Sequence, residues 1–307
     1  MKRLLLSLFV GLLLINTTSL YAQKISKKSK AKHVVLIGLD GWGAFSFEKA
    51  DMPHVKQLKE NGSYSLNTRS VLPSSSAVNW ASMFMGAGPE LHGFTDWGSK
   101  TPDLPSRVTT HYGLFPTVFG LLRDQAEQAQ IGYFYEWGGM KYLTEQQAFN
   151  KTGHLKPSDE NHTEITQQSI KFIKENKPNL TAIIYNQPDS KGHKIGFGSP
   201  EYYEKLNTLD KRIGEIIDAV KEAGMEKETI FMIVADHGGK GTKHGGKTME
   251  EMEIPLIFSG KGIKENHEIQ ASTMIYDIAP TIAYIFNLET PQVWTGRAIT
   301  EVFGRRK

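Results

Sequence analysis

Residues 229–246 read TIFMIVADHGGKGTKHGG. The first seven are apolar or β-branched and carry no charge. A run this short and this rich in β-branched residues is read as a strand buried on both faces. It ends abruptly in Asp236-His237, followed by paired glycines and His244-Gly245-Gly246. A strand apolar on both sides belongs in a mostly parallel sheet with helices on each face. Polar residues placed directly behind such a strand lie where sheets of this kind bind ligands, beyond the carboxyl ends of the strands.

Two further runs repeat the pattern. HVVLIGL at 33–39 leads into Asp40-Gly41, and TAIIY at 181–185 leads into Asn186-Gln187-Pro188-Asp189, then Gly192-His193. PLIF at 255–258 is a fourth strand candidate. Amphipathic stretches between them predict helices over 53–60, closed by Asn61-Gly62, and over 164–175, 202–223 and 277–286, the last with Asp277 as its cap. Alternating strands and helices predict an α/β fold, a three-layer α/β/α sandwich with a mostly parallel central sheet.

The chain opens with Lys2-Arg3, an apolar run over 4–15 and a polar stretch ending at Ala22, the layout of a secretory signal peptide over residues 1–22. The run is shorter than the roughly 20 residues of a membrane span, so no stable span is expected after its removal. Export to the periplasm or the extracellular space is the expectation. Residues 23–32 carry five lysines and read as a flexible leader, leaving 33–307 as a single catalytic domain. The formal charge of +3 is misleading: without the basic residues of the first 32 positions, 29 basic face 33 acidic residues. This gives no electrostatic footprint for a nucleic-acid binder.

Three strand ends thus deliver three carboxylates, Asp40, Asp189 and Asp236, and three imidazoles, His193, His237 and His244, to one edge of the sheet. This donor set suits divalent metal ions, zinc in particular. Flanking glycines let backbone and ligand approach closely. A nucleophile is sought in LPSSSAVNWAS at 72–82, where serines precede a helix-compatible stretch. A serine there is an ordinary N-cap, but a helix N-terminus also favours an alkoxide or a phosphate.

At these residues the chain resembles the alkaline phosphatase superfamily, in its type I phosphodiesterase and nucleotide pyrophosphatase branch. The resemblance rests on GLDGWG at 38–43, LPSSSAVNWASMFMGAGPELHG at 72–93, PDSKGH at 188–193 and ADHGGKGTKHGG at 235–246, in order and at compatible spacing. It also takes in EIPLIFSGKGI at 253–263 and YDIAPTIAYIFNL at 276–288. It implies two divalent metal ions, one held by Asp40, Asp236, His237 and the Ser76 oxygen, the other by Asp189, His193 and His244. Ser76 is implied as nucleophile by its three-residue spacing to Asn79, which would hydrogen-bond a non-bridging phosphoryl oxygen. His92 matches a family position without being a ligand and is expected to be structural. The chain departs from the branch at Ser76, Val78 and Trp80, where threonine, proline and histidine are usual. Trp80 is expected in the core in preference to a stacking role. Ser76-Ala77-Val78-Asn79 lacks the proline and arginine of the sulfatase pattern.

Metal coordination turns a weakly nucleophilic serine into an alkoxide, and two metals stabilise the attacking and leaving oxygens of an in-line displacement. Two divalent ions against three aspartates and an alkoxide leave the site near neutral. A diester or pyrophosphate, with less charge than a monoester, is therefore the expected small-molecule phosphate ester. A phosphomonoesterase would call for an added cation, for which Arg107, Lys141 and Lys191 are the candidates. A non-catalytic binding protein on the same fold is the alternative from another class. The segment 101–164 carries no readable motif and is expected to wall the pocket.

Overall fold

The computed structural model describes residues 25–156 and 162–304. Its strands are β1 (His33–Leu39), β2 (Gly62–Arg69), β3 (Ile131–Tyr135), β4 (Lys151–His154), β5 (Leu180–Tyr185), β6 (Thr229–Ala235), β7 (Glu253–Gly260) and β8 (His267–Glu268). Its helices are α1 (Pro53–Glu60), α2 (Ser76–Met85), α3 (Pro89–His92), α4 (Val118–Gln125), α5 (Thr163–Asn176), α6 (Asp189–Ile195), α7 (Pro200–Glu222), α8 (Met249–Met252) and α9 (Ile278–Phe286). The strands form one eight-stranded sheet in the order β4-β3-β5-β1-β6-β7-β2-β8.

The sheet is mostly parallel, as the buried apolar runs require. β4, β3, β5, β1 and β6 pair in parallel, and β7 runs against both β6 and β2. β2 therefore points the same way as β1, β5 and β6, and the residues that follow it emerge at the same edge. Between Ser65 and Thr68 the pairing of β2 with β7 shifts, opposite Pro255, which has no amide to donate.

Helices cover both faces. α1 and α5 pack on α7, while α2 and α4 pack on α9. Adjacent residues of β3 show the two layers. The ring of Tyr133 meets Phe84 of α2 edge-on at 6.0 Å, whereas Phe134 turns to Phe172 of α5 at 5.8 Å. On β1, Gly38 leaves room for the indole of Trp80: a Cβ there would lie 2.4 Å from its Cη2. Trp80 is fully buried, in keeping with the core role expected for it.

Two expectations change. Residues 29–32 are docked instead of free: the Lys30 amide donates to the Ile285 carbonyl (2.7 Å), the Lys32 amide to that of Glu228 (3.0 Å), and Ala31 is buried. Lys30 Nζ lies over the Tyr284 ring at 5.1 Å and Lys32 faces Glu228 at 3.7 Å while the backbone is drawn in to enter β1, so composition alone misreads this stretch. Asp277 does stand at the start of α9, but its carboxylate accepts from the Met274 and Arg297 amides and does not cap the helix. The signal peptide lies outside the described residues. No helix among the described residues is long and apolar enough to cross a membrane.

Candidate active site

The register of the sheet sets the site. Leu39 is level with Tyr185 on one side and Ala235 on the other, so Asp40, Asn186 and Asp236 leave the sheet at one height. The chain after β5 turns into α6, whose first residue is Asp189 and whose next turn carries His193. The segment after β2 brings Ser76 to the head of α2.

Ser76 Oγ lies 3.2 Å from His237 Nε2 and 3.4 Å from Asp40 Oδ1. His237 Nε2 is 3.3 Å from Asp236 Oδ2 and 3.6 Å from Asp40 Oδ1. Asp189 faces His193 Nε2 at 3.5 Å and His244 Nε2 at 3.6 Å. Ligand atoms of Asp189, His193 and His244 gather within 4.8 Å of one another, as do those of Asp40, Asp189 and His237. The first group has the same members as the second metal set implied by the resemblance. The other takes in Asp189 in place of Asp236, whose Oδ2 nevertheless meets the same His237 Nε2 at 3.3 Å.

The hydrogen bonds of the imidazoles test whether a metal fits. Nδ1 of His237 meets the Gly238 carbonyl (2.7 Å), that of His244 the Ser74 carbonyl (3.0 Å) and that of His193 the Thr242 carbonyl (2.9 Å). A carbonyl only accepts, so each Nδ1 carries a proton, and the neutral form of each ring would turn an Nε2 lone pair toward the carboxylates. Histidines that bind metals are commonly held in this way, one ring nitrogen on a carbonyl and the other free for the ion. Asp189 Oδ1 and Asp236 Oδ2 are buried with no hydrogen-bond partner. Burial holds the carboxyls of Asp40 and Asp236 well above the usual range, reinforced for Asp40 by the charges of Asp236 and Asp189 and for Asp236 by that of Asp189, and burial also raises Asp189. Burial, then the neighbouring His237, lowers His244 to about 3. Three crowded carboxylates with three bare imidazole nitrogens form a set that divalent cations would compensate.

Second contacts fix these side chains. Asp40 Oδ2 accepts from the Trp80 indole at 3.3 Å, so the core tryptophan also orients this carboxylate. Asp236 Oδ1 accepts from the Gly41 amide (3.1 Å) and its own neighbour His237 (2.9 Å). Glu136, directly after β3, is buried and accepts from the Asn186 amide (3.0 Å) while its other oxygen meets His162 Nδ1 at 2.7 Å.

Asn79 is placed differently from what the resemblance implied. It is fully buried, accepts from the Val71 amide (2.7 Å) and donates toward the carbonyls of Val71, Pro73 and Ser75 at 3.1–3.3 Å. Its amide is fully engaged in shaping the serine loop, and it does not line the cavity. His92 is structural as expected, bonded to Ser82 and to the Phe94 amide.

The site opens into a cavity of about 600 Å³. Besides Asp40, Ser76, Asp189, His193 and His244, its walls include Ser75, Asp96, Trp97, Trp137, Asn186 and Lys243. Trp137, from the segment 101–164, confirms that this segment contributes wall, and Trp97 is a 62% exposed indole at the rim. Arg107, Lys141 and Lys191 do not line the cavity; Lys243 does. Sequence reading missed Trp97, Trp137, Lys243 and Glu136. Only Glu136 had a usable signal, since it follows the aromatic strand IGYFY as Asp40 follows HVVLIGL.

The model of the type I phosphodiesterase / nucleotide pyrophosphatase family matches residues 34–284. The chain belongs to that family. Among similar proteins is a venom phosphodiesterase of Macrovipera lebetinus, 25% identical over 218 residues, which are 67% of this chain and 25% of that protein. A human ectonucleotide pyrophosphatase/phosphodiesterase, family member 1, is 24% identical over 221 residues, or 66% of this chain and 23% of the relative. The match to this phosphodiesterase-family chain thus spans about a quarter of the length of these curated relatives. Murine ectonucleotide pyrophosphatase/phosphodiesterase 5, solved as an inactive variant in complex with AMP, superposes with a TM-score of 0.72 at 14% identity, covering 89% of this chain and 100% of that one. A putative sulfatase from Bacteroides thetaiotaomicron also reaches 0.72 at 15% identity, covering 90% and 75%. At such identities the likeness is one of fold.

Proposed function

We propose that the protein is an exported, two-metal phosphoesterase that hydrolyses phosphodiester or pyrophosphate bonds of nucleotide-type esters through a phosphoserine on Ser76. The single observation that carries this reading is the arrangement of His193, His237 and His244. Each is turned by a backbone carbonyl so that its Nε2 meets the carboxylates beside Ser76 Oγ. Asp40, Asp236 and His237 would hold one ion with Ser76, and Asp189, His193 and His244 the other, with zinc favoured by the donors. Bound ions would supply Lewis acidity toward the serine and the leaving oxygen.

The chain's own residues do the remaining work. The head of α2 presents Ser76 at the cavity floor. Trp80 and the Gly41 amide hold Asp40 and Asp236 in place. Trp97 and Trp137 offer flat apolar faces to a leaving group such as a nucleobase or sugar. The Ser76–phosphorus bond forms as the bond from phosphorus to the departing alcohol or phosphate breaks, the serine proton leaving with that group or to solvent. Water then cleaves the Ser76–phosphorus bond, releasing the phosphate monoester and restoring the hydroxyl. Export rests on the Lys2-Arg3 start, the apolar run and Ala22.

The test is Ser76→Ala in zinc-reconstituted protein. Turnover of a bis-nitrophenyl phosphate should vanish while zinc binding persists, and a chelator should inactivate the parent until zinc is restored. Unchanged turnover in the variant would refute the nucleophile. Indifference to chelator would refute the metals. Lys243 favours a second reading, a phosphomonoesterase, because it places a cation in the cavity wall. Comparing Lys243→Ala with the parent on paired mono- and diesters separates the two, since only a monoesterase loses selectively on the dianion.

A further inference from the structure

Ser75 occupies the N-cap of α2, with extended backbone at φ −139° and ψ 158°. A serine there usually accepts a hydrogen bond from the first-turn amides. Ser75 makes no such bond. Its residue is 5% exposed, its Oγ is buried without any hydrogen-bond partner, and it lines the same cavity as Ser76.

Its neighbours are both committed. Ser74 Oγ donates to the Gly246 carbonyl at 2.7 Å and accepts from the Gly245 amide at 3.2 Å. Ser76 Oγ faces Asp40 and His237. The backbone of Ser75 is pinned as well: its amide donates to the Pro73 carbonyl (2.8 Å), and its carbonyl accepts from the Asn79 amide group (3.1 Å) and backbone amide (3.0 Å). A buried hydroxyl left unpaired has lost its hydrogen bonds to water without replacement, and in a cavity wall a bound ligand or water can complete the bond. A phosphoryl group joined to Ser76 would sit one residue away. Its non-bridging oxygens need donors, and Asn79 is fully engaged elsewhere.

We propose that the Ser75 hydroxyl donates a hydrogen bond to a non-bridging phosphoryl oxygen during attack by Ser76, and is a further catalytic residue. The inference rests on Ser76 being the nucleophile. No proton is transferred and no bond to Ser75 is made or broken; charge gathering on the phosphoryl oxygens strengthens the contact in the transition state.

The experiment uses the zinc-loaded full chain, with Ser75→Ala, Ser75→Gly, Ser75→Thr and Ser76→Ala compared. Glycine is well tolerated at an N-cap, so it guards against a folding defect in the alanine variant. Loss of the hydroxyl in Ser75→Ala and Ser75→Gly should lower kcat for a diester on the order of 10²-fold, with KM little changed. Vanadate affinity, measured by calorimetry, should fall in parallel, zinc content and thermal midpoint should hold, and Ser75→Thr should recover part of both losses. If kcat and vanadate affinity stay within about twofold of the parent, or fall only together with zinc content and thermal midpoint, the inference is overturned. If Ser76→Ala retains turnover, the nucleophile reading itself fails. If Ser76→Ala is inactive and the hydroxyl-deficient Ser75 variants are unaffected, only the donor role fails.

Discussion

The backbone amide of Asp189 donates to the carbonyl of Asp40 across 2.9 Å. The chain ends after β5 and β1 are thereby tied together at the two points where each presents a carboxylate. Gly41 stands at the crossing with φ +73°, and a Cβ there would lie 2.7 Å from the Asp189 Cβ and 2.8 Å from its Cα. The obstacle is backbone, which cannot swing aside.

Gly41→Ala should therefore displace Asp189 and weaken the site shared by Asp189, His193 and His244. The left-handed backbone alone costs alanine about 1–2 kcal/mol, before the contact is relieved. Zinc retained after dialysis and the urea midpoint should both fall. A variant with parental zinc content would show that the two chain ends are not coupled in this way.

Asn79 gives a sharper contrast between shaping the loop and touching substrate. Asn79→Ala removes the acceptor for the Val71 amide and the donor shared by three carbonyls. Several buried groups are left unpaired, and a stability loss of about 2–4 kcal/mol is expected by urea unfolding. Turnover should fall with it. A direct role on the phosphoryl group predicts the opposite split, lost turnover at parental stability.

Glu136 should act through Asn186. Its carboxylate bridges the Asn186 amide and the His162 ring, three residues ahead of Asp189. Glu136→Gln cannot serve both donors equally well and should loosen the turn into α6. Zinc affinity, read by competition with a chromophoric chelator, should drop about 10–100-fold, the usual consequence of losing an outer support. Unchanged affinity would confine Glu136 to general stability.

His92 governs part of the pH dependence. Its Nδ1 accepts from the Phe94 amide (3.1 Å), so the proton sits on Nε2 facing Ser82 (2.9 Å), and the neutral ring is fully satisfied. Burial lowers its pKa to about 3. Between that value and the ordinary 6.5 the unfolded chain binds the extra proton and the folded chain does not, so stability falls as pH falls through this window. Well below 6.5 the contribution is about 1.4 kcal/mol per pH unit. Urea unfolding of zinc-loaded protein at pH 5, 6 and 7 should show His92→Asn with a shallower slope than the parent, whatever its absolute stability. Parallel slopes would refute the assignment.

Much of this molecule is local in the chain. HVVLIGL, TAIIY and TIFMIVA had to be buried strands because no other short element hides such runs, and Asp40, Asp189, His193, Asp236, His237 and His244 are readable because each lies at or just beyond such a strand's end. The order of strands, the direction of β7 and the arrival of Ser76 at the same edge were not legible in this way, since they depend on pairings between segments far apart. Tertiary packing alone turned Asn79 inward to hold the serine loop, left Ser75 Oγ without a partner beside Ser76, brought Trp97, Trp137 and Lys243 into one cavity, and docked residues 29–32 against the start of the sheet. Sequence determines which side chains follow each strand. Where those side chains point is decided by the neighbours that three-dimensional contact supplies, and no spacing along the chain encodes those neighbours.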